Sequence, residues 1–149
     1  MTITRANLES NLVQGAGGFM SFVGFAVTIA GANANLNDPL AYALRQTGYS
    51  VTNITSVADA DIALVATSDI DELLDYAELR LLKNIAGNMQ AWNITNGPET
   101  EKFSQMAGSI AARISKISND ITATYGAVTI ETGTINYDFA DHNDTEITT

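Results

Sequence analysis

The chain has no cysteine, one histidine, one tryptophan and two prolines among its 149 residues. Without cysteine there is no disulfide, no thiolate metal site and no cysteine nucleophile. The one histidine, His142, sits in a polar tail. A Ser-His-Asp triad would therefore depend on a base that nothing nearby holds within hydrogen-bond reach. Basic residues are scarce as well. Arg5, Arg45, Arg80, Lys83, Lys102, Arg113 and Lys116 are scattered against 17 acids, for a formal net charge of −10. Neutralising phosphates takes clustered Lys and Arg, so the chain is not expected to coat nucleic acid. An acidic surface is compatible with DNA passing by without sticking. Long apolar runs are missing too: Phe19 to Ala30 falls short of the roughly 20 residues a membrane span needs.

What is present is helical periodicity. From Ser68 to Tyr125 the pattern predicts two long helices joined at Asn93-Ile94-Thr95-Asn96-Gly97. The second carries Phe103, Ala107, Ile110, Ile114, Ile117 and Ile121 at spacings of 4, 3, 4, 3 and 4, a narrow core seam held for nearly three heptads. The first answers with a broader stripe: Ile70, Leu73, Leu74, Ala77, Leu81, Leu82, Ile85, Met89 and Trp92. A short link between two such stripes predicts an antiparallel helical hairpin. Asp69, Asp71 and Glu72 favour the positive end of the first helix, and Pro98, Glu99 and Glu101 that of the second.

The remaining elements are attachments to that hairpin. Thr2 or Thr4 caps an N-terminal helix with Leu8 and Leu12 on one face, and Gly15-Ala16-Gly17-Gly18 is expected to kink or break it. Phe19 to Ala30 reads as a buried helix leading into a loop. Ala32-Asn33-Ala34 behind it fits a secretory cleavage pattern, but the flank lacks the positive cluster of a signal peptide. Asp38 caps and Pro39 opens a short helix that stops at Gly48. Tyr49 to Thr55 reads as extended. Ser56 with Asp59 resembles a capping box for a short helix through Ile62 and Val65, and Ser68 with Asp71 repeats the device. After Gly126 the pattern changes to alternation around Gly133, with Val128, Ile130, Ile135, Tyr137 and Phe139 on one face. This predicts a β-ribbon that is marginal alone and is an interface arm. The fold class is thus mainly α, a helical bundle built on a long antiparallel hairpin with an extended acidic C-terminal arm. The divisions are residues 1–36 (helix and linker), 37–126 (helical core) and 127–149 (arm).

Sites for chemistry are few. The glycine cluster at 15–18 is no dinucleotide fingerprint, since Met20 follows it and no strand precedes it. Asp138, Asp141, Asn143, Asp144 and Glu146 carry oxygens for a hard cation but lack the spacing and glycine of an EF-hand, so they read as a solvated tail. Asn53-Ile54-Thr55, Asn93-Ile94-Thr95 and Asn143-Asp144-Thr145 match the glycosylation pattern, which matters only in a secreted chain. No catalytic, cofactor or metal residue is expected, and no enzyme activity.

The segments Leu73-Leu74-Asp75-Tyr76-Ala77-Glu78-Leu79-Arg80-Leu81-Leu82-Lys83-Asn84-Ile85 and Gly97-Pro98-Glu99-Thr100-Glu101-Lys102-Phe103-Ser104-Gln105-Met106 resemble the head–tail connector (adaptor) structural proteins of tailed bacteriophages and prophages. Asp38 to Arg45 and Ala58 to Asp61 are similar to the same group, so the resemblance covers roughly residues 37–125. It implies a virion protein, assembled in the host cytoplasm, that docks as a ring on the portal and joins it to tail or neck proteins. It also implies a lined DNA channel without sequence-specific binding, self-association in the ring, an arm between subunits or into the portal, and no membrane. The alternative is a generic helical interaction module or regulator that uses the seam 103–121 for a coiled-coil-like partner.

Overall fold

In a computed structural model the chain is mainly helical. The structure describes residues 2–96 and 101–126, with the backbone alone over 91–96 and 101–102. The order is α1 (Arg5–Phe22), a 3-10 turn at Ala34–Leu36, α2 (Asn37–Gln46), α3 (Asp59–Ile62), a second 3-10 turn at Thr67–Asp69, α4 (Ile70–Asn96) and α5 (Glu101–Tyr125). None of the described residues forms a strand. The predicted extended stretch at Tyr49–Thr55 is a loop. The arm residues Val128, Ile130, Ile135, Tyr137 and Phe139, along with Trp92's side chain and the Gly97-Pro98 link, lie outside the described residues.

Thr4 caps α1 reciprocally: Asn7 N–H reaches Thr4 Oγ1, and the Thr4 amide donates to Asn7 Oδ1 at 2.9 Å. The expected break at Gly15–Gly18 does not occur, because α1 runs through it. Glycine lowers helix stability by about 1 kcal/mol per interior position, but packing opposes this. Leu8, Leu12, Ala16 and Met20, one per turn, are all buried. Each large side chain contributes roughly 1.5–3 kcal/mol when removed from water. Gly15 also has a packing use. A Cβ there would stand 3.3 Å from Arg113 Nη2 and 3.4 Å from Glu78 Oε1, so its absence lets α4 and α5 close on α1.

α1 does not carry on into the apolar run. It ends at Phe22; Gly24 adopts φ +77° and Phe25 N–H returns to Met20 O at 2.9 Å. Residues 23–33 then double back along α1. Asp38 is not a cap, since α2 starts one residue earlier behind the 3-10 turn, with Leu36 at the cap position and no side-chain bond. Ser56 is not a cap either. Its N–H closes a turn onto Asn53 O, Ala58 takes the cap position, and Asp61 accepts the Ala58 N–H at 3.0 Å. The short helix stops at Ile62, before Val65, and Ser68 falls within the second 3-10 turn.

α4 is the central element. It packs on α2, α5 and α1 in turn, and Leu73, Ala77, Leu81, Leu82, Ile85 and Met89 are buried. α1 and α2 contribute most of the other buried side chains, so residues of the 1–36 segment share one core with α2 and α4. Along the α5 seam, Ile110 and Ile121 are buried, while Phe103, Ala107, Ile114 and Ile117 are half-buried against the core.

Candidate functional site

Among the described residues no three His, Cys, Asp or Glu side chains are grouped to hold a metal ion, and no helix is long and apolar enough to cross a membrane. His142 and the acidic tail lie outside the described residues. The polar side chains that do converge form three groups, each made across elements distant in sequence.

The first is a buried clamp at the N-terminal end of α1. Arg5 and Glu9 are 3% and 0% exposed. They are one turn apart, and Arg5 Nε donates to Glu9 Oε1 at 2.8 Å. The rest of both side chains is spent on backbone. Arg5 donates to Val57 O at 2.6 Å and to Asn33 O at 2.7 Å, and Glu9 accepts from Gly31 N–H at 2.7 Å and Asn33 N–H at 2.9 Å. Asn33, buried as well, donates through Nδ2 to Ala26 O and Thr28 O. A buried ion pair is tolerable only when its remaining donors and acceptors are met, and here they are. The clamp joins α1 to both the 23–35 and 49–58 loops.

The second group lies where α2 crosses α4. Arg80 reaches Asp38 through Nε at 2.8 Å and Nη2 at 3.2 Å, Asn84 donates to the same carboxylate at 2.7 Å, and the Arg80 guanidinium stands 5.3 Å from the Tyr42 ring centroid. The Arg80 hydrogen bonds hold the Asp38 carboxyl below its usual range, against partial burial, with Asn84 adding to the effect. Tyr42 meets Tyr76 edge-on at 6.5 Å, and Tyr76 stacks on Tyr125 at 6.3 Å. Tyr125 Oη donates to Asp75 Oδ2 at 3.1 Å. Burial, reinforced by that hydrogen bond and by Asp75, Glu72 and Asp71, pushes the Tyr125 phenol up to about 12. The last residue of α5 is thereby fixed to the first turns of α4.

The third group orders the loop before α4. Asp61 accepts from Ala58 N–H, Thr52 N–H and Thr52 Oγ1, which together hold its carboxyl low. Tyr49 Oη donates to Asp69 at 2.6 Å and accepts from Ala66 N–H at 2.9 Å. The charged and hydroxyl groups described are engaged by protein partners. They hold loops and helices in place and leave no nucleophile–base pair poised for reaction.

Some apolar side chains also reach the surface. A cavity of about 160 Å³ between α4 and α5 is lined by Ala86, Met89, Phe103, Ala107 and Ile110 among others. Val27, Ile29 and Ile54 stand exposed on the two clamped loops, and Leu64 on the segment after α3. The sequence pointed to the seam, of which Phe103, Ala107 and Ile110 meet at this cavity; it did not point to the clamp or the exposed loop. Charge spacing gave no hint of Glu78, whose ion pair is with Arg113 across the α4–α5 contact. Comparison with protein-family models, with curated proteins and with solved structures finds no match.

Proposed function

We propose that the chain is a virion structural protein of the head–tail connector (adaptor) type. It docks as a ring on the portal, joins it to tail or neck proteins and lines a channel through which DNA passes unread. In this reading α4 and α5 form the long antiparallel hairpin, and residues 127–149 are an extended, partly β arm that reaches a neighbour. The protein has no catalytic role and takes no cofactor, and its location is the virion.

The observation that carries the proposal is the anchoring of Tyr125. The stack on Tyr76 and the bond to Asp75 fix the end of α5. Gly126 follows with φ +89°, a backbone turn that ends the helix at a fixed point. An apolar-faced segment that follows a fixed helix end suits strand addition to a neighbouring subunit. The net charge of −10 supports passage of DNA without adhesion. The half-buried α5 seam favours the second reading, a helical interaction module whose partner packs on Ile114 and Ile117.

Purified particles test the proposal. Labelling the chain with an antibody and imaging by electron microscopy should show it at a single vertex, in several copies. Its absence from particles, together with a dimer in solution that Ile117→Lys dissociates, would transfer support to the second reading.

A further inference from the structure

Residues 26–30 stand out on the surface. They form a run of exposed residues bracketed by Gly24 and Gly31, both at positive φ, with Val27 43% and Ile29 50% exposed. One edge of this run is fully used. Ala26 N–H donates to Asn35 Oδ1 at 2.9 Å, and the Ala26 and Thr28 carbonyls both accept from Asn33 Nδ2. Alternate residues turned to one side is the hydrogen-bonding habit of an extended strand. The two asparagines thus act as a substitute neighbour along that edge. The other edge is open. Among the described residues, the backbone groups of Val27 and Ile29 have no hydrogen-bond partner. Unpaired, uncharged and β-branched, this edge is a template for strand addition.

The chain contains a matching sequence. Ala26-Val27-Thr28-Ile29 recurs residue for residue as Ala127-Val128-Thr129-Ile130. We propose that the outer edge of residues 26–30 is the acceptor for residues 127–130 of a second copy, which adds as an extended strand. The inference rests on the self-association in the reading above and names the surface that takes the arm.

Placement on α1 makes the donor another copy. Gly31 packs against Ala6, whereas Gly15 faces Arg113 of α5. These positions are nine residues apart, and at about 100° per residue they lie on opposite sides of α1. α5 and the open edge therefore flank α1 from opposite sides, with roughly 10–12 Å of helix between them. Ala127 is one residue beyond the Gly126 that follows α5, a step of about 3.8 Å, which leaves the same copy little chain with which to round α1 and favours a donor from a second copy. Charge points to a second copy as well. Two acidic chains repel each other over most of their surfaces. No Asp, Glu, Lys or Arg occurs between Glu9 and Asp38, nor among residues 127–130, so this contact brings no like charges together. The clamp already holds the acceptor in place, which limits the ordering that docking requires.

The lack of native cysteine makes the pairing directly readable. Full-length chains bearing Val27→Cys are mixed with full-length chains bearing Val128→Cys and oxidised. The expected product is a disulfide-linked dimer of one chain of each kind, abolished by Ile29→Pro in the acceptor copy. Sedimentation of the cysteine-free chain should show self-association weakened about tenfold by Ile29→Pro, through a lost backbone bond and a lost β-branched pair. Val27→Lys, which leaves the backbone donor in place, should weaken it in the same direction. Both substitutions sit on exposed side chains, and unchanged helical circular dichroism confirms the fold. A monomer at all concentrations overturns the inference, as does a double-cysteine chain that closes only on itself. A ring at the particle vertex without this cross-link overturns strand exchange and leaves the adaptor reading standing. The cross-link in a chain absent from particles does the reverse.

Discussion

Replacing Glu9 with leucine tests whether the clamp is a salt bridge or a backbone scaffold. Glu9 is fully buried and accepts three hydrogen bonds, one from Arg5 and two from the amides of Gly31 and Asn33. Glu9→Leu leaves the Arg5 guanidinium buried without its counter-charge, a loss of about 3–5 kcal/mol for a pair of this kind. At roughly 2–4 °C per kcal/mol for a domain of this size, the melting temperature should fall by roughly 6–20 °C. The informative variant is the double, Arg5→Met with Glu9→Leu. An isolated buried pair exchanged for apolar side chains is commonly neutral. Here the double variant also orphans the Gly31 and Asn33 amides and the Asn33 and Val57 carbonyls, at about 1–3 kcal/mol for each group that stays dry. It should therefore remain several kcal/mol below wild type, and hydrogen exchange at Gly31 and Asn33 should lose protection before the α4 amides do. Thermal melts and urea titrations of the three proteins decide the point. A double variant that melts with wild type would refute the scaffold reasoning and leave a plain ion pair.

Two further outcomes follow from the helices. Gly18 lies inside α1 with nothing within 4 Å of an added Cβ, so Gly18→Ala should raise stability by about 0.5–1 kcal/mol in a urea titration; a loss would mean that α1 needs a soft point there. Tyr125 favours its neutral form in the folded state, rising from 10.0 to about 12. Its contribution is fully present below pH 10 and is lost as pH climbs through the folded value, so Asp75→Asn, which removes the hydrogen-bonded charge, should lower the midpoint of its phenolate absorbance; an unchanged midpoint would assign the shift to burial and to Glu72 and Asp71 instead.

Local signals were legible in the sequence, and tertiary ones were not. A cap at Thr2 or Thr4 was legible because such caps act within one turn, and the structure places it at Thr4; α4 and α5 were legible because their apolar positions repeat each turn. The glycines at 15–18 misled because the penalty of a helical glycine is local, whereas the benefit depends on Arg113 and Glu78 arriving from far along the chain. The same reason hid the clamp. Arg5 and Glu9 are one turn apart on α1, yet most of their hydrogen bonds go to residues 22 to 54 positions away. The run Phe19–Ala30 misled in the other direction, since apolar composition alone reads as burial. Its first four residues finish α1 and its last five are exposed, held out by asparagines that sequence reading had assigned to a plain linker. An uncharged, β-branched segment kept in water by asparagine side chains is a costly arrangement for a monomer, because it forgoes burial that folding would otherwise gain. In the strand exchange proposed above, covering this segment with a matching sequence from a second copy would recover that burial.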